Sequence, residues 1–591
     1  MIPMNAPIPE VVKPQENPDI NTVKTLKDLY QSAALARSTY DKDWKTNMDF
    51  YKGKQWNGTA CKPVMNIIRS TIQTTIPLLT DGKPGINITP AEPGDFEFSR
   101  MLQQLVENWW DKPEVSMSHT LLEPLTDMCI YDAGILKLYW DITAEDGKGD
   151  VRVKSVDPNN IYINKEAKDF DKDCYYVIEK MYPTVAWLKR QFPEKASLIK
   201  SDMQFKLESE RQGIKTVKVQ ADPDTKQPLE LVKDSIFIND SDCRETAECW
   251  EIWIDSEEMI SYQEEDESGY KKKYPNGKLF TFLPNQNLIL QETENPYKHG
   301  KKPYVRFIDT LMPHQFWGES TTTSLMAAQR NINLVLSNLI SYLKLMANPI
   351  WKITSDCGIQ KRDITNDIAL VLELEPGKLN DVIRDIPPSI QPGVLNLFDT
   401  VMRNATVESG INDFSQGRIP VGGMSGDAME TLQESNMTRI RLKERNMQTS
   451  LSKMGSMLIS LFLQYYNTPR MARIVGNEQM PKYVEFYIEQ NKDGSYTYNR
   501  KELTYNPNTN SYDPGSYEKF PISSQAFDIK IVAGTSQPIQ KAIRANTAFK
   551  LKQMGVISNK ILLKAIDFPY AQEAQLEEEA AKSANTTGNN Q

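Results

Sequence analysis

Histidine and closely spaced cysteine are scarce in this chain of 591 residues, which has three histidines and six cysteines. Neither an HExxH nor a CxxC motif occurs, and no histidine stands at a metal-ligand spacing from a cysteine, so the usual zinc-binding patterns are absent. Cys243 and Cys249 are the only close pair. This scatter predicts reduced, structural thiols in a cytosolic setting.

Motifs for phosphate binding and nucleophilic catalysis are missing as well. GxxxxGK[ST] does not occur, which argues against ATP hydrolysis by a P-loop, and GxSxG, the nucleophile motif of many hydrolases, is also absent. Asp169, Asp171 and Asp173 alternate as in a calcium loop, but the glycine and glutamate that such a loop needs do not follow. We therefore expect no catalytic residues, no metal and no cofactor.

Long apolar runs and an excess of positive charge are also lacking. No apolar run is long enough to cross a bilayer, which predicts a soluble protein that makes no use of a membrane. The formal net charge is −9, whereas proteins that hold nucleic acid by charge are usually basic. The acidity argues against a tight DNA binder but not against a protein along which DNA slides.

Helical periodicity dominates the N-terminal part. Apolar residues recur at spacings of three and four, which predicts helices over 25–56, 64–81 and 95–133, the last of them broken at Lys112–Pro113. Residues 86–90 alternate as a short strand. Residues 1–24 are rich in Pro, Asn and Lys and read as a flexible arm.

Strand patterns follow between 134 and 310. A short helix is predicted at 183–190, and the polar stretch 200–245 reads as a long loop. With the helices before and after, this pattern predicts an α+β fold of about three or four units of ordinary domain size. Runs of β-branched and aromatic residues bounded by Gly, Pro and Asp predict strands at 135–140, 151–156, 174–181, 249–254 and 278–282.

The segment 316–467 has an unusual order of elements. A helix over 320–348 carries one apolar stripe and ends before Pro349, and an insert with strands at 350–353 and 369–374 leads into a second helix at 394–408. A glycine-rich loop over 410–426 follows, which cannot pack a core. Two long helices around a small insert are more typical of a mechanical assembly than of a catalytic pocket.

A third long helix follows the glycine-rich loop. Asp427 and Glu430 are spaced as in a capping box at its start. Its first half carries Arg439, Arg441, Lys443 and Arg445, whose spacing of two spreads them around the helix, as in a solvated segment or one that is salt-bridged between subunits. Beyond Pro469, strands are predicted at 483–488, 496–498 and 527–532, and helices at 539–554, 559–565 and 571–582.

Several segments, in this order, resemble the portal proteins of short-tailed bacteriophages similar to P22. Each pattern is weak alone, but their order and spacing are hard to obtain by chance. Phe50 to Trp56 (FYKGKQW) resembles the family's FYxGxQW segment. The other matching segments are Asn66 with 81–90, 156–163 with 169–174, 316–320 with Gln329 to Asn333, and 527–535 with Gln537–Pro538.

The resemblance implies a dodecameric ring and a division of the chain into named parts. It implies a flexible arm (1–24), a wing (25–318), a first stem helix (319–348), a clip (349–391), a second stem helix (392–409), a tunnel loop (410–426), a long helix with the rest of the wing (427–535) and a short crown of C-terminal helices with a tail (536–591). The chain ends soon after the late strand, so a long helical barrel is not expected.

The resemblance also implies a function and partners. The ring would lie at one capsid vertex of the virion, after assembly in the host cytoplasm, and pass double-stranded DNA without sequence specificity during packaging and ejection. The terminase large subunit would dock on it and supply ATP hydrolysis. The tail adaptor would bind later, and the major capsid protein would surround the ring. A scaffolding protein is a further candidate partner.

Candidate site residues fall into three groups. Arg418 is the only cation of the tunnel loop, so we expect a sliding surface or valve there and not a DNA clamp. Tunnel-loop candidates are Asn412, Asp413, Phe414, Gln416, Arg418, Val421 and Met424; clip candidates for a partner interface are Lys361, Arg362, Lys378 and Arg384; stem candidates for packing between subunits are Leu325, Ile332, Leu336, Leu339 and Leu343.

Two other functions remain open at this stage. A head-to-tail adaptor would also form a ring, although adaptors are usually much shorter and lack the order of helix, insert and helix. A nucleic-acid-processing packaging enzyme would need a P-loop, which is missing, or a two-metal carboxylate cluster, which a linear sequence cannot reveal.

Overall fold

The computed structural model describes residues 20–56, 63–80, 85–90, 96–202, 245–255, 263–266, 269–272, 276–347, 350–353, 382–385, 392–410, 438–474, 482–492, 495–506, 511–522, 527–532, 548–557 and 562. Over these residues the chain mixes helices and strands, which confirms the predicted α+β class. Among them, no helix is both long and apolar enough to cross a membrane.

The N-terminal part is helical, as predicted. Its elements are α1 (Ile20–Tyr51), α2 (Ile67–Thr80), strand β1 (Gly85–Pro90), α3 (Phe96–Asp111), α4 (Met117–Thr120) and α5 (Leu122–Ile130). The predicted break near Lys112–Pro113 separates α3 from α4. Leu26, Leu29 and Ala33 lie on one face of α1 and are buried in a cluster with strand residues, because spacings of three and four bring them to the same side of the helix.

The middle part forms two larger antiparallel sheets and a separate two-stranded one. Its elements are β2 (Ala133–Asp141), β3 (Asp150–Val156), β4 (Ile161–Ile163), β5 (Tyr176–Met181), α6 (Val185–Gln191), β6 (Cys249–Ile254), β7 (Gln263–Asp266), β8 (Gly269–Lys272), β9 (Lys278–Leu283), β10 (Leu288–Glu294) and β11 (Tyr304–Ile308). One of the larger sheets has the order β11-β2-β3, the other has the order β10-β9-β6-β5-β4, and β7 pairs with β8. The strands predicted here are confirmed, while β4, β7, β8, β10 and β11 were not predicted. The loop predicted over 200–245 lies almost wholly outside the described residues.

The segment after β11 contains a helical hairpin. Helix α7 (Thr321–Ala347) leads into β12 (Ile350–Ile353), and β13 (Val382–Asp385) leads back into α8 (Pro392–Ser409). The two strands pair antiparallel, with Ile350 opposite Asp385. Both predicted helices and the strand at 350–353 are confirmed, and β13 was not predicted. The strand predicted at 369–374 lies outside the described residues, as does the glycine-rich loop beyond Gly410.

The C-terminal part begins with α9 (Thr438–Tyr465), so the predicted capping box at Asp427 lies outside the described residues. Strands β14 (Arg470–Ile474), β15 (Lys482–Gln490), β16 (Tyr496–Asn506), β17 (Ser511–Pro514) and β18 (Glu518–Ile522) form one sheet, and β19 (Phe527–Val532) pairs with β1. The predicted strands here are confirmed. Of the predicted closing helices, the stretch 548–553 is described and helical.

The main hydrophobic core surrounds the second half of α9. Met454, Leu458 and Phe462 are fully buried there and belong to one cluster with α2, α3, α5 and the strands β2 and β11. This explains the change along α9 from a basic to an apolar sequence. The apolar half is a central element of the core, and α7 begins beside the first half, at Lys443.

Candidate functional site

The hairpin of α7 and α8 is embedded in the rest of the chain at one end only. The first half of α7 packs against α1, α2 and α5, whereas the chief neighbour of α8 is α7 itself. Gln329, Ile332 and Asn333 are buried, but from Leu334 to Lys344 the side chains of α7 are half-buried or exposed. The far part of the hairpin therefore presents two helices to solvent.

The apolar stripe of α7 is divided between these two environments. Leu325 and Ile332 are buried within the chain, at 1% and 0% exposure, so this part of the stripe packs inside the subunit and corrects the expectation that the whole stripe needs a neighbour. Leu336 and Leu339 are half-buried, and Leu343 is 55% exposed. Packing between subunits remains a prediction for these three.

The first turn of α7 is held by a buried carboxylate from the loop before β2. Asp132 accepts hydrogen bonds from the backbone N–H of Ser320 (2.9 Å) and from Nε1 of Trp44 (2.8 Å). Burial raises the pKa of Asp132, against the lowering effect of these hydrogen bonds. Because a helix start has free N–H groups, an oxygen acceptor there stabilises it and fixes its position.

A second buried carboxylate holds the next residue. Oδ2 of Asp309 accepts from the backbone N–H of Thr321 at 2.7 Å and also from its hydroxyl. The other oxygen of Asp309 pairs with Nζ of Lys443 on α9. Lys443 is one of the four basic residues noted in the sequence, and it proves to be salt-bridged within the subunit.

Amide side chains lock the third turn of α7 to the N-terminal helices. Gln329 accepts from the backbone N–H of Ile67 (2.9 Å) and donates to the carbonyl of Met65 (2.8 Å) and to Asn333 (3.0 Å). Asn333 in turn donates to Oε1 of Gln55 at 2.5 Å. Residues from two of the sequence segments quoted above thus meet here, which sequence spacing alone could not show.

A buried network of charges joins the two middle sheets and was missed in the sequence. Nζ of Lys137 on β2 lies 2.6 Å from Glu179 and 2.6 Å from Glu251. Glu179 also pairs with Lys154 at 2.6 Å and accepts from the Tyr304 hydroxyl at 2.8 Å. The available signal was a lysine in the middle of the apolar strand sequence AGILKLYWD.

The sequence predictions about metals and thiols can be compared with this geometry. Asp169 pairs with Lys453, while Asp171 lies 3.6 Å from Lys301 and Asp173 lies 2.7 Å from Lys168; these carboxylates bind cationic side chains. Within the described ranges, no group of three potential metal ligands comes together. Cys129, Cys174 and Cys249 are free and buried, which confirms structural thiols at these positions.

The remaining candidate residues lie mostly outside the described part of the chain. Arg384 is on β13, at the position paired with Trp351. Outside the described residues are Lys361, Arg362 and Lys378, and the tunnel-loop candidates Asn412, Asp413, Phe414, Gln416, Arg418, Val421 and Met424.

Comparison with known proteins agrees with this architecture. A family model described as phage P22-like portal protein matches residues 27–586, which is nearly the whole chain. A search of curated proteins found no match.

Proposed function

The chain belongs to the phage P22-like portal protein family, and from this premise we propose that twelve copies form a ring whose central channel carries the genome. Its role is that of a phage portal protein at the capsid vertex, a structural connector. Membership supports a portal over the adaptor and the packaging enzyme that the sequence left open. We propose the ring, its channel and its partners.

The observation that carries the proposal is the exposed apolar surface of the hairpin. Leu334 and Leu343 on α7 are 54% and 55% exposed, and Leu397 and Val407 on α8 are 53% and 68% exposed. Large apolar side chains on a helix normally face a core. A closed ring would cover them with the hairpin of a neighbouring subunit, since ring symmetry lets each copy give one face and receive another.

In this proposal the parts of the chain have separate tasks. Residues 25–318 and 427–535 form the wing, α7 and α8 the stem, 349–391 the clip, 410–426 the tunnel loop and 536–591 the crown. The clip would dock the terminase large subunit and later the tail adaptor through Lys361, Arg362, Lys378 and Arg384. The major capsid protein, and a scaffolding protein during assembly, would contact the wing.

The net charge of the chain supports a channel that passes DNA without binding it tightly. The chain has a formal net charge of −9, and tight binding of DNA relies on cations that neutralise phosphates. Electrostatic effects are screened within about 8 Å at physiological salt, so only the channel wall would act on the DNA. The terminase would supply the energy of packaging.

The proposal is tested by imaging and by one deletion. Electron microscopy of the purified full chain, alone and with scaffolding protein, should show rings viewed down a symmetry axis. Deletion of 415–424 should preserve these rings and impair genome packaging or retention, because the deleted residues would contact DNA and not the neighbouring subunit. A chain that stays monomeric under both conditions would refute the ring, and normal genome-filled particles from the deletion variant would refute the tunnel-loop assignment.

A further inference from the structure

One carboxylate joins the start of the hairpin to a distant helix. Asp309 follows β11 directly and is 1% exposed. It accepts from both the backbone N–H and the hydroxyl of Thr321 and forms an ion pair with Lys443 on α9. Nζ of Lys443 also donates to the hydroxyl of Thr321 at 2.6 Å. We call these three residues, Thr321, Asp309 and Lys443, the clasp.

Neighbouring contacts hold α9 against the same strand end. Asn446 donates to the carbonyl of Asp309 at 3.2 Å, and the hydroxyl of Ser450 donates to the carbonyl of Arg306 at 2.6 Å. Separating Lys443 from Asp309 would leave a buried charge without its counter-charge, which is strongly unfavourable. A displacement of α9 relative to β11 would therefore also disturb the contacts of Thr321.

The clasp connects the start of the hairpin to the helix that follows the hairpin in the chain. The chain enters the hairpin through α7 and leaves it through α8 at Ser409, and it returns in α9 shortly before Lys443. Lys443 then contacts the residue at which α7 began. The start of the hairpin is thus attached to the first turns of α9 through the clasp.

We propose that Thr321, Asp309 and Lys443 are positioning residues that set the tilt of the hairpin according to the position of α9. The inference rests on the proposed channel function, in which the two helices line the path of the DNA. A change at the start of α9 would reach the hairpin through the clasp. The hairpin would move as a unit because α7 and α8 pack against each other.

The decisive variant is the double substitution Asp309→Asn with Lys443→Met. Asparagine keeps an oxygen for the Thr321 N–H, and methionine keeps an unbranched apolar side chain. Removing both charges together avoids the unpaired buried charge that either single change would leave. We expect rings with a melting temperature close to that of the parent, a changed hairpin tilt in cryo-electron microscopy, and loss of genome-filled particles.

A matched control lies on the same helix. Lys453 of α9 pairs with Asp169, which belongs to the loop before β5 and not to the hairpin. Lys453→Met removes this cation from α9, and Asp169 keeps a counter-charge because Nε of Arg306 lies 3.9 Å from it. We expect this control to keep the parental tilt and the parental yield of filled particles.

Each outcome bears on the proposal. Clasp-variant rings with the parental tilt and a normal yield of filled particles would overturn it, as would an equal loss in the control. If the clasp variant fails to fold, Thr321→Val decides, since valine removes only the hydroxyl, which contacts both Lys443 and Asp309. Normal packaging by Thr321→Val rings would then overturn the proposal, and reduced packaging would support it. A parent that forms no rings would instead refute the proposed function.

Discussion

At the residue scale, the most informative side chain is Lys137. It stands in β2, whose nine residues are all buried, and its ammonium group lies between the carboxylates of Glu179 and Glu251. Buried charges are tolerated when they are paired and their remaining hydrogen-bonding positions are filled. Trp253 and Tyr304 fill two of them, by donating to Glu251 at 2.7 Å and to Glu179 at 2.8 Å.

This network gives a pH-dependent contribution to stability. Burial alone would raise the pKa of Glu179, but Lys137 and Lys154 outweigh it and lower the pKa from 4.5 to about 2. The folded state therefore favours the ionised carboxylate. Its contribution is complete above about pH 4.5 and is lost as the pH falls towards 2.

We predict that Glu179→Gln lowers the melting temperature at pH 6. The difference in stability between the variant and the parent should become smaller in acid. From the two pKa values, about 2 kcal/mol of the parent's advantage should be lost between pH 6 and pH 3. Thermal unfolding of both proteins at pH 6, 4.5 and 3 measures this change. A gap of constant size across that range would contradict the assigned role of Glu179.

The sequence could predict that β2 is a strand but not what its lysine binds. The partners of Lys137 lie on β5 and β6, far along the chain, and only the tertiary fold brings them together. The same holds at the base of the hairpin. Gln55 and Asn333 belong to segments that were noted in the sequence, yet the hydrogen bond between them depends on how the segment after α1 packs against α7.

At the element scale, the close packing of β2 against α5 depends on a residue without a side chain. A Cβ placed on Gly134 would lie 1.8 Å from the carbonyl oxygen of Pro124 in α5. That atom belongs to the backbone, so relief would require the helix and the strand to separate. Gly393, near the start of α8, has no atom within 4 Å of such a Cβ.

We predict opposite effects of alanine at these two glycines. Gly134→Ala should destabilise the chain by ~1–3 kcal/mol or more, as overpacking in a rigid core does. Gly393→Ala should be neutral or stabilise it by up to ~1 kcal/mol, because alanine favours a helix more than glycine. Chemical denaturation of both variants gives the two values, and equal stability of the two proteins would contradict this account of the contact.

Prediction of elements succeeded where a strong local pattern was present. The helices α1, α7 and α8 have apolar residues at helical spacing, and β6 and β9 have dense runs of β-branched and aromatic residues. Short or polar strands were missed, such as β13 (VIRD) and β17 (SYDP). Such strands owe their conformation to the strand opposite, Ile350–Ile353 for β13 and the end of β16 for β17, and that partner is not evident from their own sequence.

At the scale of the whole molecule, the hairpin leaves large apolar side chains exposed. Leu343 and Leu397 expose more than half of their surface, and the proposed ring would bury them against another copy. Because they contribute little to the isolated chain, their replacement should affect assembly far more than folding.

We predict that Leu343→Ser with Leu397→Ser lowers the fraction of chains in rings. The free energy of unfolding of the isolated chain should change by no more than ~0.5 kcal/mol for each exposed site. Asn396→Ser, beside Leu397 and also exposed, serves as the control and should assemble normally. Analytical ultracentrifugation measures the ring fraction, and undiminished rings from the double variant would exclude these leucines from the subunit interface.

The pairing of β1 with β19 can form only late in the synthesis of the chain. Gly85 lies opposite Val532 and Pro90 opposite Phe527, so β1 leaves the ribosome long before its partner exists. At ~5–20 residues per second, the wait is roughly 20 to 90 s. During this interval β1 has an unpaired edge, which is a site for aggregation and for chaperones. A chain released before residue 527 lacks β19, so its β1 keeps the unpaired edge that the finished chain covers.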